Sequence, residues 1–353
     1  MKRTLFWIIA SIGAFALTEI ASRAQAPAGA PPQTPAAQAL AAPPARGEAV
    51  NPEVSNERRN VQIDQFIGSP VNATGHLSHG GLLTRSILRS GNPNIPGPPG
   101  AVLEYRTQLA TAMLMPKNAT ALMSINNQFL FYVVSGEGRL DDGKNSWDVR
   151  EGTAILIPPD VQRRFTNMSN EALEMVMVEW PANAQARKDI LVRDANRMPY
   201  CEENAHWNNM SKCLFTADDG MTGRVLLVML MPFTMAAPHT HSQGTEEIWT
   251  KLTPGNAIML LGSELRDMPQ FSAFLAPPNG VTWHGQVNTS KTQVEKWLYV
   301  AGGGGRPARQ GGAPGPAQAP AGGRGRGGPA NPNLLSRDPA AIEQATVKGA
   351  PLR

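Results

Sequence analysis

Between residues 50 and 301 the chain alternates short apolar runs with turn residues. The runs read TAMLM, FLFYVV, TAILIPP and LEMVMVEW in the first half, then VLLVMLM, AIMLL, FSAFLAPP and EKWLYV in the second. They are short, rich in Val, Ile, Phe, Met and Tyr, and broken by Gly, Pro, Asn and Asp. Such runs predict β-strands, and their spacing predicts an all-β sandwich or barrel rather than βαβ units.

The order of the runs repeats. FLFYVVSGEG followed by EGTAILIPPDVQRRFTN parallels EEIWTKLTPG followed by FSAFLAPPNGVTWHGQVN: a strand, a Gly turn, a strand ending in Pro-Pro, then a polar return to Asn. A repeat of this size implies two copies of one domain, here 50–190 and 191–301. The flanks lack such runs. Residues 25–49 are Pro/Ala-rich and residues 302–333 are Gly/Pro/Arg-rich, so neither can bury a core, and both read as linkers. In 334–353 one short helix is expected, starting at Pro339 with Asp338 as its cap.

Residues 1–24 change the picture of location. Lys2 and Arg3 precede an apolar run from Leu5 to Leu17, and small residues follow at Ser22 and Ala24. That is the layout of a secretory signal peptide cleaved after Ala24. The run is shorter than the roughly 20 residues that cross a bilayer, so the expectation is an exported chain, periplasmic or extracellular, without a stable membrane anchor. In that setting Cys201 and Cys213, the two cysteines of the chain, are expected to form a disulfide around EENAHWNNMSK. The alternatives are free buried thiols, or a metal site completed by His206.

The 353 residues, 41% apolar and 17% charged, suit two folded units plus weakly charged tails. The formal charge of +4 is modest and owes part of its size to Arg306, Arg309, Arg324 and Arg326 in the Gly-rich segment. Those arginines have no aromatic residues beside them, so nucleic acid is not an expected partner. The expected partner is a small molecule, and a homo-oligomer stays open.

The candidate chemistry lies in HTHSQGTEEIWTKL, residues 239–252, where two of the six histidines sit two positions apart ahead of adjacent glutamates. Side chains two apart on a strand share a face, so His239 and His241 can offer two imidazoles to one ion, with Glu247 and His284 arriving from neighbouring strands. Three nitrogens and one carboxylate suit Mn, Fe, Ni, Cu or Zn. The same alternation puts Trp249 and Lys251 on the Glu247 face. Lys251 could then bind an anionic substrate or act as an acid/base group, or reach solvent at the strand end.

These residues resemble the cupin superfamily of small jelly-roll β-barrels, and the tandem arrangement resembles a bicupin. His239 and His241 match the family's H-x-H, and His284 and Asn288 match its H-x-x-x-N, with Pro278 and Gly280 just ahead. Aligning EIWTKL with the family's E-I-x-Y-V-L makes Glu247 the ligand, whereas counting from His241 points to Glu246. Glu247 is preferred here, and Glu246 is kept as a candidate catalytic group beside Lys251. The first copy keeps Gly152, Pro158 and Asn167 of the second motif but carries Arg163 at the histidine position. Superposing FLFYVV on EIWTKL puts Phe129, Ala121 and Met123 at the other three ligand positions, a set that cannot hold a divalent cation. His76 and His79, in GHLSHGG, read as a turn-rich surface segment.

The resemblance implies one divalent transition metal per chain, with Mn or Fe favoured. It also implies an exported enzyme that oxygenates, decarboxylates or isomerises a small organic acid, phenolic or sugar-derived compound. The alternative is a carbohydrate- or small-molecule-binding bicupin with a structural metal.

Overall fold

The computed structural model describes residues 62–182, 187–201, 209–221, 223–241, 243–302 and 338–352. The expected leader, the Pro/Ala-rich linker, nearly all of the Gly-rich segment and His206 fall outside them.

The apolar runs form strands, and the strands form two barrels, each with a wide and a narrow sheet. In the first, the wide sheet runs in the order Leu191–Asp194, Thr153–Ile157, Asn127–Ser135, Leu173–Pro181, Gln108–Leu114, Leu82–Ser90, His76–Ser78, with Ala101–Leu103 beside Leu82–Ser90. Its narrow sheet is Arg164–Thr166, Glu137–Asp141, Asn145–Arg150 and Ala350–Pro351. In the second, the wide sheet runs Ile67–Gly68, Ala273–Ala276, Glu247–Lys251, Glu295–Ala301, Arg224–Leu230, Asn209–Phe215, and the narrow one Glu264–Met268, Ala257–Leu261, His284–Val287. The four central strands of each wide sheet follow one order, which is the sequence repeat made visible.

The unbroken apolar runs have a physical cause. Along FLFYVV, Phe129, Phe131 and Val133 point into the first barrel, while Leu130 and Tyr132 join a second cluster shared with Val228, Trp249 and Trp297 of the other barrel. Strands buried on both faces need apolar residues at every position rather than at alternate ones. The repeated Asn is a clamp. Asn288 Nδ2 donates to the carbonyls of Leu230, Met231 and Gln293, and Asn167 Nδ2 to those of Leu114 and Glu171, so each ties a narrow-sheet strand to its wide sheet.

Both ends of the described chain cross over. Ile67–Gly68 pairs with Phe274 and Ala273 of the second barrel, running so close to Ile87 that a Cβ on Gly68 would overlap its carbonyl oxygen. At the other end Asp338 caps a helix over Pro339–Ala345 by accepting from the Ala340 N–H at 2.9 Å. The chain then returns to the first barrel, where the Val347 N–H donates to the Val192 carbonyl at 2.8 Å and Ala350–Pro351 covers the edge at Asn145–Ser146. Leu191–Asp194 also belongs to the first barrel's sheet, paired with Thr153–Leu156. Cys201 and Cys213 are bonded to each other. No helix among the described residues is long and apolar enough to cross a membrane.

Ending the chain at residue 337 removes the buried Ala345 and the packed Val347, a loss of about 2 kcal/mol. The expected outcome is a fall of about 4–8 °C in unfolding temperature by scanning calorimetry; an unchanged transition would show that the tail contributes nothing to the first barrel.

Candidate metal centre

Four of the residues singled out in the sequence meet inside the second barrel. His239, His241, Glu247 and His284 each present one donor atom, and these atoms all lie within 4.8 Å of one another. The elements explain the convergence. Glu247 opens the strand Glu247–Lys251, His284 opens His284–Val287, and a bridge between His239 and His284 lays the histidine pair across the same mouth.

Glu247 is fully buried, and its partners fix both oxygens. His284 Nε2 lies 2.9 Å and Trp249 Nε1 2.6 Å from Oε1, while His241 Nε2 lies 2.6 Å and the Tyr299 hydroxyl 2.9 Å from Oε2. Burial alone would raise this carboxyl's pKa, but the hydrogen bonds from His241 and His284 hold it well below the usual carboxylate range. Burial, followed by the Glu247 charge, raises the Tyr299 hydroxyl, which stays a donor. His239 Nδ1 donates to the Ala237 carbonyl at 2.8 Å, an arrangement that turns Nε2 toward the cluster. Burial and the neighbouring His284 lower the His239 pKa to about 4, so the ring is neutral near pH 7, as a metal ligand must be.

The donor set fits a divalent transition metal: three imidazoles and one carboxylate converge from three segments, with both Glu247 oxygens turned toward imidazole nitrogens. His239 and His241 are half-buried, whereas Glu247 and His284 are closed off, so access is from the histidine-pair side.

The two candidate acid/base groups are not part of this cluster. Glu246 faces the opposite way, as alternation requires of the residue beside Glu247. Its Oε2 accepts from the backbone N–H of Glu104 at 2.6 Å and Tyr105 at 3.0 Å, and its Oε1 from Arg106 Nη1 at 2.5 Å. Those partners belong to the first half of the chain, and Arg106 is itself buried with its guanidinium over Trp180. The Glu246 carbonyl also accepts from the Gly302 N–H. Glu246 therefore pins the ligand-bearing strand to the first barrel. Lys251 is buried but stands at the far end of its strand, about 13 Å along from Glu247, where Nζ donates to the Thr253 carbonyl and hydroxyl. Sequence reading missed Arg106, which lies 140 residues from its partner. The signal available was the paired glutamates themselves, since only one of two neighbours can face the barrel interior.

The first barrel shows how its counterpart site was lost, with one correction of register. Met123 bridges Arg163 as His239 bridges His284. Met123 and Ile125 therefore stand where His239 and His241 stand, rather than Ala121 and Met123, because the second half has two more residues between this segment and the following strand. Phe129 does occupy the Glu247 position, each pairing with the equivalent end of the next strand. A second correction concerns His79, which is half-buried and turned onto Phe129 and Phe131 rather than lying on a surface turn; His76 is exposed.

A family model described as "Cupin domain" matches residues 117–179. It falls on the barrel without the ligands. Solved structures of similar fold include AerE from Microcystis aeruginosa, at 11% identity over 67% of this chain and 99% of that one, with a TM-score of 0.52. Vicilin from Corylus avellana (hazelnut) shows 11% identity over 67% and 85%, TM-score 0.51. A deletion mutant of Bacillus subtilis oxalate decarboxylase shows 13% over 68% and 77%, TM-score 0.50. No curated protein matches the chain by sequence.

Metal content measured by inductively coupled plasma mass spectrometry tests this centre. His239→Ala or His284→Ala is expected to abolish binding and Arg163→Ala to leave it unchanged. Arg106→Met is expected to weaken Mn²⁺ affinity about tenfold through Glu246, with the chain still folded by circular dichroism. Equal loss in all variants would refute a single centre in the second barrel.

Proposed function

We propose that this chain, whose residues 117–179 match a cupin domain model and whose fold is shared with vicilin and oxalate decarboxylase, is a metal-dependent enzyme acting on a small organic acid, phenolic or sugar-derived compound at His239, His241, Glu247 and His284. The observation that carries this reading is the buried, fully partnered Glu247 facing three imidazoles. A barrel with no use for an ion has no physical reason to gather these groups.

The chain's own contribution is orientation. Trp249 and Tyr299 hold the Glu247 carboxylate in one rotation, the Ala237 carbonyl fixes the His239 tautomer, and Phe274, whose ring centre lies 6.3 Å from that of His284, gives the site an apolar wall. A bound Mn or Fe would supply Lewis acidity and electron transfer to a substrate entering from the half-buried histidine side. Glu246 and Lys251 are both engaged elsewhere, so neither is placed to shuttle protons. Oxygenation, which leans on the ion rather than on either of these two groups, is the reaction proposed. Export also belongs to this proposal, on the strength of residues 1–24, and N-terminal sequencing of the chain from a secreting host would detect cleavage after Ala24.

The test is paired measurement of O₂ consumption and CO₂ release by the metal-loaded chain on panels of small organic acids and phenols. Substrate-dependent O₂ uptake that disappears in His284→Ala is the expected result. CO₂ release without O₂ uptake would overturn oxygenation in favour of decarboxylation. Binding without turnover across the panel would leave the chain a binder with a structural metal.

A further inference from the structure

The first barrel holds a buried charge that forms no ion pair among the described residues. Arg163 stands at the position of His284 and is 2% exposed. Its guanidinium lies 4.5 Å from the centre of the Phe129 ring, the residue at the Glu247 position, so the cation occupies the place that corresponds to the metal centre. Among the described residues its one polar side-chain partner is His79 Nδ1, 3.0 Å from Nη2, and both Nε and Nη1 have no hydrogen-bond partner. Burial lowers the Arg163 pKa to about 10 against the opposing pull of the Glu179 charge, which forms no ion pair with it, and leaves it a cation at neutral pH. Burial, then the Arg163 charge, lowers His79 to about 4, so the imidazole is neutral and its Nδ1 accepts from the guanidinium. Among the described residues no carboxylate forms an ion pair with Arg163.

His79 is held there at a cost. Its φ of 49° is left-handed, unusual for a residue with a side chain, and it sits in a turn completed by Gly80 and Gly81. The turn brings a planar ring edge-on to Phe129 and Phe131, directly over the guanidinium. A neutral ring in that place accepts one hydrogen bond and brings no charge, whereas a carboxylate or similar oxyanion would accept several and neutralise the cation. Buried donors without partners are places for a water or an ion, and a buried full charge is better served by an anion.

We propose that the first barrel is an anion site in which Arg163 takes a small planar carboxylate or oxyanion of about imidazole size, such as formate, in the place now filled by the His79 ring. The turn Ser78–Gly81 carries that ring and is the element that yields. Phe129 and Phe131 border the place of that ring and limit it to a flat group of similar size, with the guanidinium supplying the charge. The site is independent of the metal centre, and neither proposal requires the other.

Formate is the probe, used on the full chain carrying His239→Ala and His241→Ala so that it cannot bind at a metal. Calorimetric titration is expected to give one formate per chain, and formate is expected to raise the unfolding temperature. Both effects should vanish in Arg163→Met. In buffer without formate Arg163→Met should be as stable as its parent or more so, since an unpaired buried charge has been removed. Should Arg163→Met fail to fold, His79→Ala keeps the guanidinium, clears its approach and is expected to bind formate at least about tenfold more tightly. The proposal is overturned if formate leaves the parent's unfolding temperature unchanged while Arg163→Met lowers it, which would make the guanidinium a packing element. It is also overturned if His79→Ala binds formate no better than the parent.

Discussion

The carboxylate of Glu247 is the group on which the second barrel's interior is organised. A fully buried negative charge is tolerated only when its oxygens are hydrogen-bonded and an opposite charge or protonated partner is at hand. Here two imidazoles, an indole and a phenol surround it. Satisfying that one group requires Trp249 to lie on the same strand face, Tyr299 to arrive from the neighbouring strand, and the histidine segment to cross the barrel mouth. Removing any of them would leave the others around an unbalanced charge.

The first barrel solves the same geometric problem without that charge. Phe129 takes the carboxylate's position, Met123 and Ile125 those of the paired imidazoles, and a guanidinium that of the third. The sign at the centre has been reversed while the strand order and the Asn clamp persist. The scaffold and the centre are therefore separable: strand pairing and two-sided burial make the barrel, and the residues at its mouth decide what it can hold.

Much of this was legible in the sequence because it is written in local pattern. Strand-length apolar runs, the repeat, the clamp residues Asn167 and Asn288, the Asp338 cap and the histidine pair all act through neighbours or through a fixed alternation. The ligand choice was decided by alignment, and alternation confirms it only once the inward face is known: Glu246 and Glu247 necessarily point apart. What escaped depends on contacts between distant segments. Arg106 gives no sign of its partner, and Lys251 was placed on the correct face, but the face says nothing about height along the barrel. The displaced register at Met123 came from a loop longer in one half, which no strand-to-strand superposition can reveal. His79 was misjudged because a turn composition rich in glycine usually marks solvent, whereas here the glycines allow the backbone to drive a ring inward.

The crossing of the two chain ends bears on how the molecule opens. Ile67–Gly68 lies at the edge of a sheet whose other strands come much later in the sequence, and the strand that closes the first barrel's narrow sheet, Ala350–Pro351, follows the whole of the second barrel. Neither barrel can complete its hydrogen bonding from a contiguous stretch of chain. The pairings at Ile67–Gly68 and Ala350–Pro351 therefore couple the two barrels, so that the edges they cover open and close with both barrels rather than with one alone.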